Sequence, residues 1–415
     1  VFYRSNPIRA LLRCRSGSSL NGLVSDNTLA LLNDREGNLW VGTYGGGVSR
    51  LDQTFTTYTT EDGLVEHVAT CLMQDRDGGL WVGTNRRGVT RYDGKTWTSF
   101  DVDDGLVDNG VRSIFQDRDG DIWLGTRDGG VSRYDGHTWR SYGPDDGMSA
   151  VGVSSIIQDR EGALWFSTWH GVSRFDGTDW TTMTTGDGLA HNGATSILQD
   201  HSGVFWFGTW NGGVSRFDGT EWSTFTAQDA LAHNHVTSAL QDREGVLWFG
   251  TRGGVSRYDG ENWQSFTRKD GLVADHILSI LEDEEGVLWF ATKGGGVSRF
   301  DGQIFQILTR QDGLGSNVVW SISQGHDEVW LGTDAGVTRY RPPPRTPPRV
   351  ALTAVVADQR YTGVSELSIP STVSLTAFEF AGYSFKTRPG GIVFRYRLNG
   401  YDVDWRVTRP AAGGV

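Results

Sequence analysis

The chain has 415 residues and a formal net charge of −12, with 57 glycines, 17 tryptophans, 10 prolines and two cysteines. That charge argues against a general nucleic-acid binder, which needs a basic footprint to displace counterions, and disfavours attraction to anionic lipid. Glycine together with tryptophan points to tight turns between packed strands and away from disorder, while Cys14 and Cys71 are too few for a disulfide framework.

From the N-terminus, Val1-Phe2-Tyr3 opens without Met and no charged start with an apolar core follows, so the chain reads as a fragment without a visible signal peptide. No apolar run is long enough to span a bilayer. Residues 10–15 (Ala-Leu-Leu-Arg-Cys-Arg) form a short strand-like segment. A unit of about forty-two residues then repeats eight times. Its tryptophans are Trp40, Trp81, Trp123, Trp165, Trp206, Trp248, Trp289 and Trp330, spaced 41 or 42 apart. A threonine follows each by three residues, and an arginine, from Arg50 to Arg339, recurs in every copy.

One copy, residues 231–272, predicts four strands: 236–240, 246–251, 255–258 and 263–266, joined by Asp- and Gly-containing turns. Four short strands per forty-two residues, with no helical periodicity, is the period of a propeller blade. The fold class is therefore all-β: a β-propeller over 1–341, with eight four-stranded blades favoured. Residues 10–15 would then supply the strand that copy eight lacks. A seven-bladed ring with one leftover copy is the runner-up. The tryptophans should fill the space between blades. The repeated Arg is expected to pair with the Asp six residues before the Trp, since a buried Arg needs a partner.

Residues 342–349 hold five of the ten prolines and mark a stiff linker. Beyond it the period stops. Strand patterns at 350–355, 373–380 and 392–398 predict the first part of a β-sandwich over 350–415.

Positions that vary between copies are where recognition can reside, and loops on a rigid scaffold are the usual place for it. In a propeller the turn between strands two and three and the crossover into the next blade share a face. The residue after the constant Thr reads Tyr44, Asn85, Arg127, Trp169, Trp210, Arg252, Lys293 and Asp334. Trp169 and Trp210, beside His170, Asn211 and Arg252, would suit a sugar: flat rings stack on it and polar groups take its hydroxyls. Padding of the rim is the plain structural alternative. The crossover carries His191, His233 and His276, which could bind an ion or act as a base if they converged. Duplication explains the repeated Leu-Ala-His-Asn equally well. Asp117–Asp121 lacks the spacing of a calcium loop and reads as a hairpin turn. No nucleophile elbow, zinc signature or phosphate-cradling loop is present, so neither a catalytic residue nor a metal or cofactor is expected.

The run Asp-Gly-Leu followed by Gln-Asp-x-x-Gly-x-Leu-Trp-x-Gly-Thr-x-x-Gly-Gly-Val-Ser-Arg-Tyr-Asp-Gly resembles the two-component-regulator propeller repeat, in eight copies over 22–341. Residues 394–405 (Phe-Arg-Tyr-Arg-Leu-Asn-Gly-Tyr-Asp-Val-Asp-Trp) resemble the start of a Y_Y_Y domain. The resemblance implies the periplasmic sensor region of a membrane-spanning, often hybrid, histidine kinase responding to a glycan or other small ligand. It further implies a possible homodimer, and membrane attachment only through segments downstream. Many such relatives carry two seven-bladed rings. The copies depart from the pattern at Ala230, Ser167, Ala291, Gln324 and Asp327. The competing readings are a propeller lyase, which requires His191, His233 and His276 to converge, and an interaction scaffold with a broad apolar face.

Overall fold

A computed structural model of the chain describes residues 54–342 throughout. Outside them it describes 28–33, 39–43, 47–51, 349–357, 359–362, 377–383, 394–396 and 406–408. The chain divides into two units, one of residues 54–342 and one of residues 1–53 with 343–415.

The first of these is a ring of seven four-stranded antiparallel blades. Blade 1 comprises Ala69–Gln74, Leu80–Thr84, Val89–Tyr92 and Trp97–Phe100. Blade 5 comprises Val236–Gln241, Leu247–Thr251, Gly254–Tyr258 and Trp263–Phe266, within a residue of the sequence expectation at every end. Blades 2, 3, 4 and 6 repeat the plan, with first strands at Val111–Gln116, Val153–Gln158, Ala194–Gln199 and Ile277–Glu282.

Blade 7 takes three strands from copy eight, Val319–Gly325, Glu328–Thr333 and Gly336–Tyr340. Its fourth is Phe55–Tyr58, which lies at the end of copy one and pairs antiparallel with Gly336–Tyr340. The seam is held further by Arg341 N–H donating to the Thr54 carbonyl at 2.8 Å and by Phe55 packing on Tyr340, ring centroids 5.1 Å apart. Tyr58 then reaches across to blade 1, 5.8 Å from the Trp97 ring.

The expectation of eight blades over 1–341 is thereby corrected. Eight copies make seven blades, because copy eight stops at a proline that cannot continue a ladder and copy one gives up its last strand to it. The first three strands of copy one, Thr28–Asn33, Leu39–Thr43 and Gly47–Leu51, form a separate three-stranded sheet. Residues 10–15, expected to close the ring, lie outside the described residues.

The second strand of blades 1 to 6 is buried along its whole length, as a sheet packed on both faces requires. The tryptophan there reaches into the next blade. Trp123 stacks on Tyr142 of its own blade at 5.6 Å and meets Phe166 of blade 3 at 5.9 Å. Trp248 does the same with Phe266 and Phe290.

The buried Asp six residues earlier is the indole's acceptor. Trp81, Trp123, Trp165, Trp206, Trp248 and Trp289 each donate Nε1–H to it at 2.7–2.8 Å. This corrects the expected Arg–Asp pairing, which among these blades holds for Arg91 and Asp75 alone. Arg133 pairs with Asp121, and Arg216 and Arg257 pair with the Asp two residues on, at 3.3 and 3.2 Å. The arginines are about one-third exposed rather than buried. Those of blades 1, 2, 3, 6 and 7 lie over the tryptophan ring at 4.5–5.9 Å. In these blades the guanidinium group itself lies against the indole face.

On the face carrying the turns between strands one and two, neighbouring blades are stapled. Arg76 donates to the Asp117 and Arg118 carbonyls, Arg118 to those of Asp159 and Arg160, and Arg243 to those of Asp283 and Glu284.

In the other unit, Arg349–Val356 pairs with Arg360–Tyr361 and with Ala377–Tyr383, and Phe394–Tyr396 pairs with Arg406–Thr408.

Candidate ligand-binding face

Turn and crossover do share a face and are tied together by backbone hydrogen bonds. Gly88 N–H donates to the Asn109 carbonyl and Gly213 N–H to that of Asn234. In each turn the constant threonine, fully buried, accepts from a turn N–H and donates to a turn carbonyl, as Thr251 does with Gly253 and Gly254. The residue after it is left to project from a fixed base.

Around the ring this position reads Asn85, Arg127, Trp169, Trp210, Arg252, Lys293 and Asp334 on blades 1 to 7; Tyr44 lies outside the described residues. Trp169 is 39 % exposed, one of the few large apolar side chains so open. Its ring stands 5.1 Å from that of Trp210, tilted by 51°. Trp210 is more enclosed. His235 meets it edge-on at 4.5 Å and the Arg252 guanidinium lies 5.2 Å from its centroid. Trp169 therefore offers the open stacking surface and Trp210 forms its wall. Gly152 makes room for this, since a Cβ there would lie 2.1 Å from the Trp169 ring. Asn211 and His170, one residue further along these turns, are exposed.

The crossover histidines separate into two kinds. His191 and His233 accept a backbone N–H through Nδ1, from Gly193 at 2.9 Å and His235 at 2.8 Å. Asp108 makes the same bond to Gly110, so these histidines are turn caps. The neighbouring asparagines are caps too: Asn109, Asn192, Asn234 and Asn317 accept from the N–H that opens the preceding turn.

His235 and His276 instead share a register in which blades 2, 3 and 4 carry Gly110, Gly152 and Gly193. Their carbonyls accept from the N–H of Arg252 and Lys293, which sets each imidazole beside a cation. Burial first, then Arg252, His233 and His276, hold His235 down to about 4, so it is neutral near pH 7. His276 is lowered by burial and by Lys293, Arg252 and His233.

Two residues escaped the sequence reading. His235 lies in a crossover like His191, His233 and His276, and only its register distinguishes it. Arg112 sits on the first strand of blade 2, where blades 1, 4 and 5 carry Thr70, Thr195 and Thr237 bonded to the next blade's backbone. Arg112 lies 5.9 Å from the Trp169 centroid, and burial, with the nearby Arg127 charge, lowers its pKa. That copy-to-copy difference on an innermost strand was the available signal.

Among the described residues no three His, Cys, Asp or Glu side chains are grouped to hold an ion, so the convergence that the lyase reading requires is not met by His191, His233 and His276. Among the described residues the exposed large apolar side chains at these loops are Val102, Val151 and Trp169, which do not form the broad apolar plane that a scaffold would present. A cavity of about 420 Å³ lies elsewhere, between blades 2 and 3, lined by Asp119, Arg133, Arg140, Gln158 and Asp176 among others, and holds none of the predicted site residues.

The two component regulator propeller model matches residues 22–45, 63–86, 105–128, 147–170, 188–211, 230–253 and 271–294. All seven of these matches end one residue after the candidate register, from Tyr44 to Lys293. The seven matches are not the seven blades: the first falls in copy one, outside the ring, and blade 7 is unmatched.

No curated protein matches the chain. Among solved structures, the extracellular domain of the hybrid two component system BT3049 of B. thetaiotaomicron is similar at 22 % identity and a TM-score of 0.70, covering 93 % of this chain and 56 % of that one. That of BT4673 from the same organism is similar at 20 % and 0.62, covering 93 % and 58 %. A streptogramin B lyase is similar at 16 % and 0.54, covering 69 % and 97 %. The chain thus spans a little over half the length of the two extracellular domains. With its ring, its turns and its repeat motif accounted for, the chain matches the two component regulator propeller model over these seven stretches, and its seven-bladed β-propeller fold is shared with the extracellular domains of hybrid two component systems.

Proposed function

We propose that the chain is the ligand-binding sensor region of a two-component signalling protein. It acts on the periplasmic or outer side of a bacterial inner membrane, and its turn-and-crossover face receives a glycan or another small ligand. The supporting observation is the pair formed by Trp169 and Trp210 on adjacent blades, bordered by Arg252 and anchored by fixed threonine turns. Seven blades of one framework whose side chains vary at one register is how a rigid scaffold is fitted to one ligand. In this reading residues 350–415 begin a Y_Y_Y-like sandwich that passes the signal on, the sensor works as a homodimer, and membrane attachment and kinase output belong to further segments. No helix among the described residues is long and apolar enough to cross a membrane.

The experiment is calorimetric titration of a panel of oligosaccharides against the wild-type chain and the Trp169→Ala and Trp210→Ala variants. Loss of one stacking ring should weaken binding by about tenfold, equivalent to ~1.4 kcal/mol. Binding that is unchanged in both variants removes the face from the proposal.

A further inference from the structure

The charges around this face are not evenly matched, and their imbalance names a ligand class. At the register after the constant threonine, Arg127 is neutralised by Asp128 at 2.8 Å. Arg252 and Lys293, on adjacent blades, are not: among the described residues neither is within ion-pair distance of a carboxylate. Acids at the crossovers of this face are engaged by backbone N–H groups. Asp108 accepts from Gly110 and Asp128, Glu66 from Arg86, and Asp275 from Arg268. Asp334 holds the same register on blade 7, next to Lys293, but forms no ion pair with it.

His235 adds a second, independent observation. It is 96 % removed from solvent, it packs on Trp210, and its Nδ1 has no hydrogen-bond partner. The histidines feel the same field, since Arg252 and Lys293 are among the groups that lower His276 and no carboxylate opposes them. A chain of net charge −12 has thus gathered two uncompensated cations beside its exposed aromatic pair.

We propose that the ligand at this face is an anionic saccharide, its carboxylate or sulfate group held by Arg252 and Lys293 and its ring stacked on Trp169. This deepens the sensor reading and rests on it. A guanidinium beside an aromatic face presents a planar donor fork to a carboxylate or sulfate while the neighbouring ring takes the apolar face of the sugar. A neutral sugar would leave both cations to water, whereas an anion gains from both.

The test measures binding of three probes of one size: an α-1,4-linked trigalacturonate, the neutral galactose trimer of the same linkage, and a sulfated galactose trimer. The expected result is that at least one anionic trimer binds ten times or more tightly than the neutral one. That preference should fall at least fivefold between 0.05 and 0.5 M salt, and should be lost in both Arg252→Gln and Lys293→Gln. The two anionic arms tell carboxylate from sulfate. Both substitutions are at exposed positions, and a circular-dichroism melt confirms folding. If the neutral trimer binds as well as both anions, through Trp169 and Trp210, the anionic assignment is overturned while the sensor reading survives. If the anions bind but the two variants keep the preference, the assignment to these cations is overturned. If no trimer binds in a Trp169-dependent way, the inference is overturned, and failure of the wider panel would take the sensor reading with it.

Discussion

The carboxylate beneath each tryptophan can be tested in a single blade. Asp242 accepts from Trp248 Nε1–H at 2.7 Å, from Val246 N–H at 2.8 Å and from Glu244 N–H at 3.1 Å. Asp242→Ala removes all three. The two turn amides lie where water can replace the carboxylate, so each loss is worth about 1 kcal/mol. The indole is different, because Trp248 is buried and its N–H would be left with nothing, at about 1–3 kcal/mol. The expected loss is about 3–5 kcal/mol, on the order of 10 °C in melting temperature for a ring of this size. Asp242→Asn keeps one oxygen and must sacrifice either the indole or the turn, so about half that loss is expected. Urea unfolding followed by circular dichroism measures both. A loss below about 1 kcal/mol in the alanine variant, or equal losses in the two, would refute the argument that the indole is what the carboxylate serves. Blade 7 is a natural reference: Gln324 stands where the Asp belongs, and Trp330 Nε1 has no partner.

Ala230 holds φ +74° where the other copies place glycine, so Ala230→Gly should raise stability by about 0.5–1 kcal/mol in the same urea assay. The reverse change at Gly105 should cost more than that, since a Cβ there meets Trp139 at 3.0 Å. His235 is neutral when folded, with a value near 4 against an ordinary value near 6.5. Its folded pKa is depressed, so the unfolded chain takes up the proton first as pH falls, and this contribution to stability, complete above about 6.5, is lost towards pH 4. Wild type should lose about 1 kcal/mol more than His235→Gln between pH 7 and pH 5.5, and parallel pH profiles would contradict this. Removing residues 1–58 strips the closing strand and exposes the Gly336–Tyr340 edge, so size-exclusion chromatography should show self-association where the full chain does not.

Much of the ring was legible in the sequence because each blade repeats its own instructions. The four strands of residues 231–272 follow from alternation and turn residues, and tertiary packing does not move them. The blade count was not legible. A repeat has no marked beginning, and Phe55-Thr-Thr-Tyr58 reads equally well as the end of copy one or the completion of copy eight; only the pairing with Gly336–Tyr340 decides. The arginine's partner was missed for a related reason, since an Asp lies both before the Trp and two residues after the Arg, and spacing alone does not rank them. At the candidate site the variable turn register was visible. The division of the histidines into caps and site neighbours was not, because it depends on which ring nitrogen meets which amide.

Thr54 and Arg341 meet at one backbone hydrogen bond, so the ring leaves and returns to the rest of the chain at a single point. A circle whose two ends touch has no obligatory start. Moving the termini to any other crossover and bridging the present seam with a short linker should give the same seven-bladed object. The order in which the blades are synthesised is then a matter of history, while the set of side chains facing the central axis is what any such permuted chain would have to preserve.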